Sequence, residues 1–322
     1  MRRYPREDFS VKHIFIINPA AGKSDRRQRI YQLAEALRRD HGLDVECMLT
    51  RSPGHASALT RGLAAAGGGL RFYACGGDGT ANEVANGIAG YENAAMTVVP
   101  IGTGNDFLRN FGADAAKFAD PEKLWNGPTQ HLDLIDCNGL QCLTIACSGV
   151  DARVARDVHR YSLIGRRGGY LTSLAVNFLF NGLSSHWTLT LDGVKSDCRD
   201  FSLVAVCNGR YYGGGFMPVP EASMTDGVLQ TLVVKKVSHA RFLQFVGDYA
   251  KGNYEKFPHF AQCYTASTVR IRSEKPDIVT CLDGECITTA DVTFRLSAKK
   301  LGFFGPPGCS PDATLRAKAS PV

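Results

Sequence analysis

No stretch of this 322-residue chain approaches the ~20 consecutive apolar residues that a membrane-crossing helix needs. The most apolar helix-like segment, "YLTSLAVNFLF", is far too short, so contact with a bilayer is expected at its surface alone. The opening "MRRYPREDFSVK" has no apolar core, and no secretory leader is expected there. The 11 cysteines contain no CxxC pair and no zinc-ligand spacing. That argues against a disulfide scaffold or zinc module and predicts reduced thiols in a cytoplasmic protein. No long basic, RGG or aromatic-interleaved run occurs, so nucleic acid is not an expected partner. The eight histidines form no spaced cluster, and no Ser-His-Asp arrangement can be argued from residue order.

Glycine, by contrast, is plentiful, with 34 residues concentrated in a few loops. "HIFIINP" reads as a buried strand ending at Pro19. "DRRQRIYQLAEALRRDHG" sets Ile30, Leu33, Ala34 and Leu37 at helical spacing, with Gly42 to end it. Strand-like "DVECMLT", helix-like "PGHASALTRGLAAAG", strand-like "LRFYAC", helix-like "TANEVANGIA" and strand-like "MTVVPI" follow, then the short helical "NDFLRNF". This alternation predicts a parallel sheet flanked by helices. From "NGPTQHLDLID" onward, short strands separated by turn signals dominate. Helices near 152–162, 168–182 and 239–251 interrupt them, and the pattern predicts an antiparallel β-rich second domain. The last stretch, "GPPGCSPDATLRAKASPV", reads as a loose tail.

Three predicted strand ends carry unusual loops: "NPAAGKS" (18–24), "GGDGT" (76–80) and "GTGND" (102–106). In an open parallel sheet, ligands bind in the crevice beyond such ends. Glycine lets backbone N–H groups approach an anion closely, and a helix starting just beyond adds its positive dipole end. "NPAAGKS" lacks the GxxxxGK[ST] spacing of a P-loop. Taken alone, it and "GTGND" also read as an ordinary strand-to-helix turn and a turn with an N-cap. Three glycines around one carboxylate in "GGDGT" are harder to explain as a turn. Gly76, Gly77 and Gly79 are expected as open backbone for phosphate contact, with Asp78 projecting into the site. "LDGE" (282–285) offers Asp283 and Glu285 as candidate proton acceptors, although Asp-Gly is also a strong hairpin signal.

Together, "FIINPAAGK", "CGGDGTANEVANGI", "VVPIGTGNDFLRNFG", "NGRYYGGGFMPVPEASMTDGVLQTLVV" and "LDGE" resemble the diacylglycerol kinase and sphingosine kinase family, in its bacterial soluble lipid kinase branch. They cover about residues 13–303. The resemblance implies an α/β protein. Its N-terminal three-layer parallel-sheet nucleotide-binding domain would be NAD kinase- or phosphofructokinase-like, and its C-terminal domain an antiparallel β-rich sandwich. The expected boundaries are 1–130, with 296–322 returning to it, and 131–295.

The resemblance also implies ATP, Mg²⁺ and a lipid hydroxyl. Asn18, Pro19, Ala20, Ala21 and Gly22 would contact ATP, as would Gly76, Gly77, Asp78, Gly79, Thr80, Ala81 and Asn82, together with Thr50 and Thr103. Asp78 would hold phosphate-bound Mg²⁺. Asp283 and Glu285 would serve catalysis, with Glu285 the assigned proton acceptor. A structural Mg²⁺ would sit at "SMTDGV" through Asp226 and the carbonyls of Ser223 and Val228. The family more often has Asp-Asp-Gly there, and Thr225 stands in place of the first Asp.

The expected reaction is phosphorylation of a lipid, diacylglycerol to phosphatidic acid, by a cytoplasmic protein peripherally associated with an anionic membrane. The formal net charge of +6 and the basic segments near Arg160, Arg166 and Arg167 offer the attraction. A sphingoid-base or other lipid kinase, an NAD kinase and a non-catalytic nucleotide- or lipid-binding protein are the alternatives. An NAD kinase should carry an Asn-Glu pair downstream for the ribose, whereas Asn82-Glu83 falls in the helix after "GGDGT". The oligomeric state, a homodimer included, is open.

Overall fold

The computed structural model describes residues 11–22, 27–102, 104–158, 182–312 and 315. All of the expected helix 168–182 except Gly182, the basic residues Arg160, Arg166 and Arg167, and Thr103 lie outside the described residues. The chain divides into two compact units. The first takes residues up to Asn105, Ala113–Leu132 and Lys300–Cys309, and the second takes Asp106–Gly112, Asp133–Lys299 and the residues from Ser310.

In the first unit β1 (Lys12–Ile17), α1 (Arg27–His41), β2 (Asp44–Leu49), α2 (His55–Ala66), β3 (Leu70–Gly76), α3 (Asp78–Ile88) and β4 (Ala94–Pro100) alternate as expected. β5 (Thr129–Leu132) and a late strand, Leu301–Phe304, complete a six-stranded sheet. Its order is β2-β1-β3-β4, then Leu301–Phe304, then β5. The late strand runs parallel to β4 and antiparallel to β5.

β1 is an interior strand, paired with β2 on one side and β3 on the other, and Ile14, Phe15, Ile16 and Ile17 are all buried. An unbroken apolar run, rather than an alternating one, is what a strand covered on both faces requires. Ile30, Ala34 and Leu37 of α1 and Ala81, Val84, Ala85 and Ile88 of α3 are the buried faces of amphipathic helices. Gly42 (φ 65°) and Gly67 (φ 91°) close α1 and α2 in the left-handed region that favours glycine.

The second unit begins with the single turn α4 (Asp106–Arg109). The strands β6 (Ile135–Cys137), β7 (Leu140–Cys142) and β8 (Ile145–Gly149) lead to α5 (Val150–Val158). Next come β9 (Ser185–His186), β10 (Thr188–Leu191), β11 (Val194–Lys195), β12 (Asp200–Cys207), β13 (Gln230–Lys235) and α6 (His239–Tyr249). The last strands are β14 (Ala261–Thr265), β15 (Thr268–Arg272), β16 (Ile278–Leu282), β17 (Glu285–Thr289) and β18 (Asp291–Leu296).

They build two antiparallel sheets, β11-β10-β15-β18-β6-β7 and β14-β13-β12-β8-β16-β17, with β9 beside β12. Trp187, Leu189, Ile271 and Phe294 meet Phe201, Val204, Val206 and Leu282 in the core they share. The other face of the second sheet packs Cys147, Ala205 and Leu232 against Ala152 of α5 and Phe245 and Tyr249 of α6. This is a β-sandwich with helices on one outer face. Among the described residues, no helix is long and apolar enough to cross a membrane.

The stretch from Gly305, expected as a loose tail, is tied down as far as Asp312. Pro311 O accepts from Arg210 Nη2 at 2.6 Å, and Asp312 accepts from the Ser223 hydroxyl at 2.8 Å. Both partners belong to the second unit. A buried guanidinium needs acceptors, and the tail supplies one of them.

Candidate active site

The strand order places β1 and β3 side by side, while β1 connects onward to β2 and β3 onward to β4, in opposite directions. Such a switch point opens a crevice beyond the strands' C-terminal ends. The predicted loops meet there. Asn18 N–H donates to Cys75 O at 3.0 Å, and Asn18 Nδ2 donates to the Thr80 hydroxyl at 3.1 Å. Asn18 Oδ1 accepts the Ala20 N–H at 3.0 Å, which shapes the turn through Pro19, Ala21 and Gly22. Thr50 N–H donates to Ile17 O at 2.9 Å, and Ile101 and Gly102 N–H both donate to Gly76 O, at 3.1 and 3.0 Å.

The glycines have separate reasons. A Cβ on Gly76 would stand 2.1 Å from the Thr80 hydroxyl oxygen, and one on Gly102 would stand 2.8 Å from both Cα and N of Gly77. A Cβ on Gly104 would stand 2.7 Å from Oδ2 of Asp78. Gly102 and Gly104 are glycines because two loops press against one another, and Gly76 because its own loop folds Thr80 back onto it. Gly76, expected as open backbone, is buried and its carbonyl is used twice. Gly79 differs: it is exposed, and nothing lies within 4 Å of where its Cβ would be. Gly79 therefore has open space around it at the start of α3.

Asp78 is the first residue of α3, after an extended Gly77 that serves as N-cap without a side-chain bond. A carboxylate is stabilised at that helix end. Ala81 and Asn82 turn inward: Ala81 is 1 % exposed, and Asn82 Oδ1 accepts from Asn86 Nδ2 at 3.0 Å. Glu83 Oε2 accepts the Ala56 N–H at 3.0 Å, which caps the start of α2. The Asn82-Glu83 pair is thus engaged within the unit's own helices.

In the second unit, Asp283 (φ 47°) and Gly284 (φ 98°) form the tight turn between β16 and β17, the positive-φ pair that Asp-Gly favours. The Asp283 carboxylate accepts the N–H groups of Leu143 (at 2.5 Å), Thr144 (3.0 Å) and Ile145 (3.3 Å). It also accepts the Thr144 hydroxyl. Asn208 backs this segment: its Nδ2 donates to Leu143 O and Asp133 O, both at 2.8 Å, and its N–H donates to Thr144 O at 2.9 Å.

A second Asp-Gly turn, Asp192-Gly193, repeats the arrangement, with Asp192 accepting the N–H groups of Ser267 and Thr268 at 3.2 and 2.7 Å. In both turns the aspartate is an anchor. The residue after glycine differs: it is Val194 in one and the exposed Glu285 in the other.

Further residues complete this unit's polar framework. Asp106 of "GTGND" is buried, accepting Arg109 Nε at 3.0 Å and the Gly214 N–H at 2.6 Å. That contact holds the glycine-rich 211–216 loop. The same loop is tied at Tyr212, whose hydroxyl donates to Asp151, as does that of Tyr249 at 2.9 Å. Burial raises the Asp151 pKa above the ordinary carboxylate range against the pull of both hydroxyls. Arg210 is 1 % exposed and donates to Asn110 O at 2.6 Å. A "YYGG" run with an arginine before it was the available signal, but it does not reveal these partners.

The turn at 223–228, the expected cation site, is closed by hydrogen bonds to carboxylates. Asp226 Oδ1 accepts the Val228 N–H at 3.0 Å, and Asp133 Oδ2 accepts the Gly227 N–H at 2.7 Å. Thr225 donates its hydroxyl to Asp312 at 2.5 Å. Burial, and then the neighbouring Asp133 and Asp312 charges, raise the Asp226 pKa. An all-oxygen surrounding with crowded negative charge suits a hard cation. No three acidic, His or Cys side chains among the described residues form a ligand group. The expected ligand set, Asp226 with the carbonyls of Ser223 and Val228, therefore contains a single acidic side chain.

Residues 12–137 match the family described as diacylglycerol kinase catalytic domain, and residues 144–304 match the YegS C-terminal NAD kinase beta sandwich-like domain. The diacylglycerol kinase of Bacillus subtilis (strain 168) is 28% identical over 84% of this chain and 88% of its own length. The diacylglycerol kinase of Mycobacterium tuberculosis (strain ATCC 25618 / H37Rv) is 29% identical over 68% of this chain and 72% of its own. A solved structure of a diacylglycerol kinase from Bacillus anthracis str. Sterne superposes with a TM-score of 0.62. That alignment covers 92% of this chain and 97% of the other at 22% identity, a likeness of fold.

Proposed function

Since the chain belongs to the lipid kinase family that joins the diacylglycerol kinase catalytic domain to the YegS C-terminal domain, we propose that it phosphorylates diacylglycerol with ATP. The acceptor hydroxyl forms a bond to the γ-phosphorus as the bond to the β-phosphate oxygen breaks. ADP leaves, the hydroxyl proton passes to a carboxylate, and a phosphatidate-type product remains. Phosphoryl transfer depends mainly on positioning and charge stabilisation.

The observation that carries this reading is the meeting of the Asn18, Gly76 and Gly102 loops at the β1/β3 switch point. Phosphates would lie against Asn18–Gly22 and the start of α3, where the backbone at Gly79 is open and the helix dipole favours anions. Mg²⁺, when bound, would neutralise charge on the phosphates, with Asp78 as its protein carboxylate. A second cation at Asp226 would have a structural role.

Glu285 is the proton acceptor. Asp283 is occupied by backbone and hydroxyl donors, whereas Glu285 is exposed one residue beyond the turn. The protein meets its lipid from the aqueous side, at the bilayer surface.

The test is ATP consumption with a panel of lipids in detergent micelles. Turnover with diacylglycerol above sphingoid bases and other lipids supports the assignment. Preference for another lipid changes the substrate, and phosphorylation of NAD without lipid turnover overturns it.

A further inference from the structure

The second unit carries a basic cleft that the proposed reaction does not use. It has a volume of about 620 Å³ and is lined by His186, Thr188, Lys195, Arg199, Arg272 and Ser273, with Glu274, Lys275 and Asp277 at its wall. The loop 273–277 enters β16 at one end, and the Asp283-Gly284 turn leaves it at the other. The two features are separated by about five residues of strand, or ~17 Å.

Four cationic side chains face two acidic ones, and the cations are poorly neutralised. Arg272 Nε reaches Asp291 at 3.4 Å, but that carboxylate already takes Arg270 through two bonds at 2.9 and 2.5 Å. Arg199 Nε donates to Trp187 O at 3.2 Å, which fixes the guanidinium without cancelling its charge. Among the described residues, Lys195 and Lys275 have no ion-pair partner. Hydroxyls of Thr188 and Ser273 add neutral donors. A fixed arginine, lysines on long flexible stems and hydroxyls together match the oxygens of a phosphate.

An apolar feature adjoins it. Val194, at the tip of the β10–β11 hairpin, is 73% exposed, above every other large hydrophobic residue described. It immediately precedes Lys195. Exposed apolar tips beside unpaired cations suit the boundary between headgroups and acyl chains, where charge and apolar burial act together.

We propose that this cleft binds the phosphate of an anionic phospholipid headgroup, with Val194 entering the headgroup layer, as a membrane-docking site separate from the Glu285 hairpin. The choice of a bilayer rests on the lipid kinase reading. The binding itself needs neither ATP nor turnover.

The experiment uses the full chain with vesicles of phosphatidylcholine, with and without phosphatidylglycerol, and measures co-sedimentation at low and high salt. The variants are K195Q with K275Q, and V194S. Both lysines are exposed and lie outside the proposed catalytic machinery. Each lysine removed should weaken binding to anionic vesicles about fivefold, the equivalent of ~1 kcal/mol. V194S should weaken binding while leaving its salt dependence intact. Activity of the lysine variant in neutral detergent micelles should equal that of wild type.

Equal binding by wild type and the double lysine variant would overturn the proposal, as would binding that ignores phosphatidylglycerol. Displacement of the protein from vesicles by inorganic phosphate at matched ionic strength would reassign the cleft to a soluble anion and overturn the lipid assignment. If lipid turnover fails while vesicle binding behaves as expected, the kinase reading falls and the docking site stands.

Discussion

Asp283 and Thr144 are joined twice across 139 residues of sequence: the Thr144 N–H and its hydroxyl both donate to Oδ1 of Asp283. With two further N–H donors on the same carboxylate, Asp283 fixes the turn from which Glu285 projects. Of the two acids of "LDGE", Asp283 anchors the turn, and the exposed Glu285 is the one proposed to take the proton.

Exchanging each acid for its amide should separate those roles. Asp283→Asn replaces an acceptor with a group that must turn an NH₂ toward backbone donors. It should cost about 1–3 kcal/mol of stability and lower activity through misplacement of the turn. Glu285→Gln should melt like wild type but lose about 10²–10⁴ in kcat, with KM for ATP little changed. Thermal unfolding and steady-state kinetics on both proteins check this. Unaltered kcat in Glu285→Gln would remove Glu285 from the chemistry.

Gly79 and Gly102 should respond oppositely to alanine. Gly102→Ala forces a methyl onto the backbone of Gly77 and should destabilise the first unit. Gly79→Ala meets no protein atom and should stabilise α3, by up to about 1 kcal/mol. The same methyl would stand where phosphate is to lie, so KM for ATP should rise. A Gly79→Ala protein with unchanged ATP affinity would mean that phosphate does not use this backbone.

A chelator should lower the melting temperature in the absence of nucleotide if a cation sits at Asp226. Asp226→Ala should abolish that response. The residual effect of EDTA on the variant distinguishes this site from any metal elsewhere. No EDTA effect on wild type would mean that Asp312, bonded to Thr225, completes this turn without metal.

His13 should make the fold sensitive to acid. Burial, reinforced by the nearby Arg71 charge, lowers its pKa to about 4, and its Nδ1 lies 2.8 Å from the Tyr73 hydroxyl. An unfolded histidine titrates near 6.5. Above that value both states are neutral and the group has no effect on stability. As pH falls from about 6.5 to 4, the unfolded state takes up the proton first, so stability falls. Melting curves across this window should show a steeper loss in wild type than in His13→Gln. Equal slopes would contradict the buried neutral imidazole.

The parallel sheet and the loops at its edge were legible because their signals are local. Apolar runs, helical spacing and clustered glycines each declare themselves within a few residues. The β-rich half was legible through the same turn chemistry, with Asp192-Gly193 and Asp283-Gly284 forming the turns that their sequence favours. Partnership across long separations was not. The donors to Asp283 come from Leu143–Ile145, the acceptors of buried Arg210 include Pro311, and the reason for glycine at Gly102 is the backbone of Gly77. The basic cleft draws its lining from three separated segments, none of which is unusually basic by itself. Charge density there is a property of strand register, which sets Thr188 opposite Arg272.

Transfer of labelled γ-phosphate from ATP into the lipid fraction, compared between wild type and Asp78→Asn, tests the account most directly. Diacylglycerol in mixed micelles is the acceptor, with Mg²⁺ varied to saturation. Asp78 is the carboxylate at the start of α3, beside the glycine loops, and the amide keeps its volume while removing its charge. The expected result is Mg²⁺-dependent label in a phosphatidate-type product from wild type, its loss in Asp78→Asn, and matching melting curves. Wild-type label transfer by Asp78→Asn at saturating Mg²⁺, or label that enters no lipid with either protein, would contradict it.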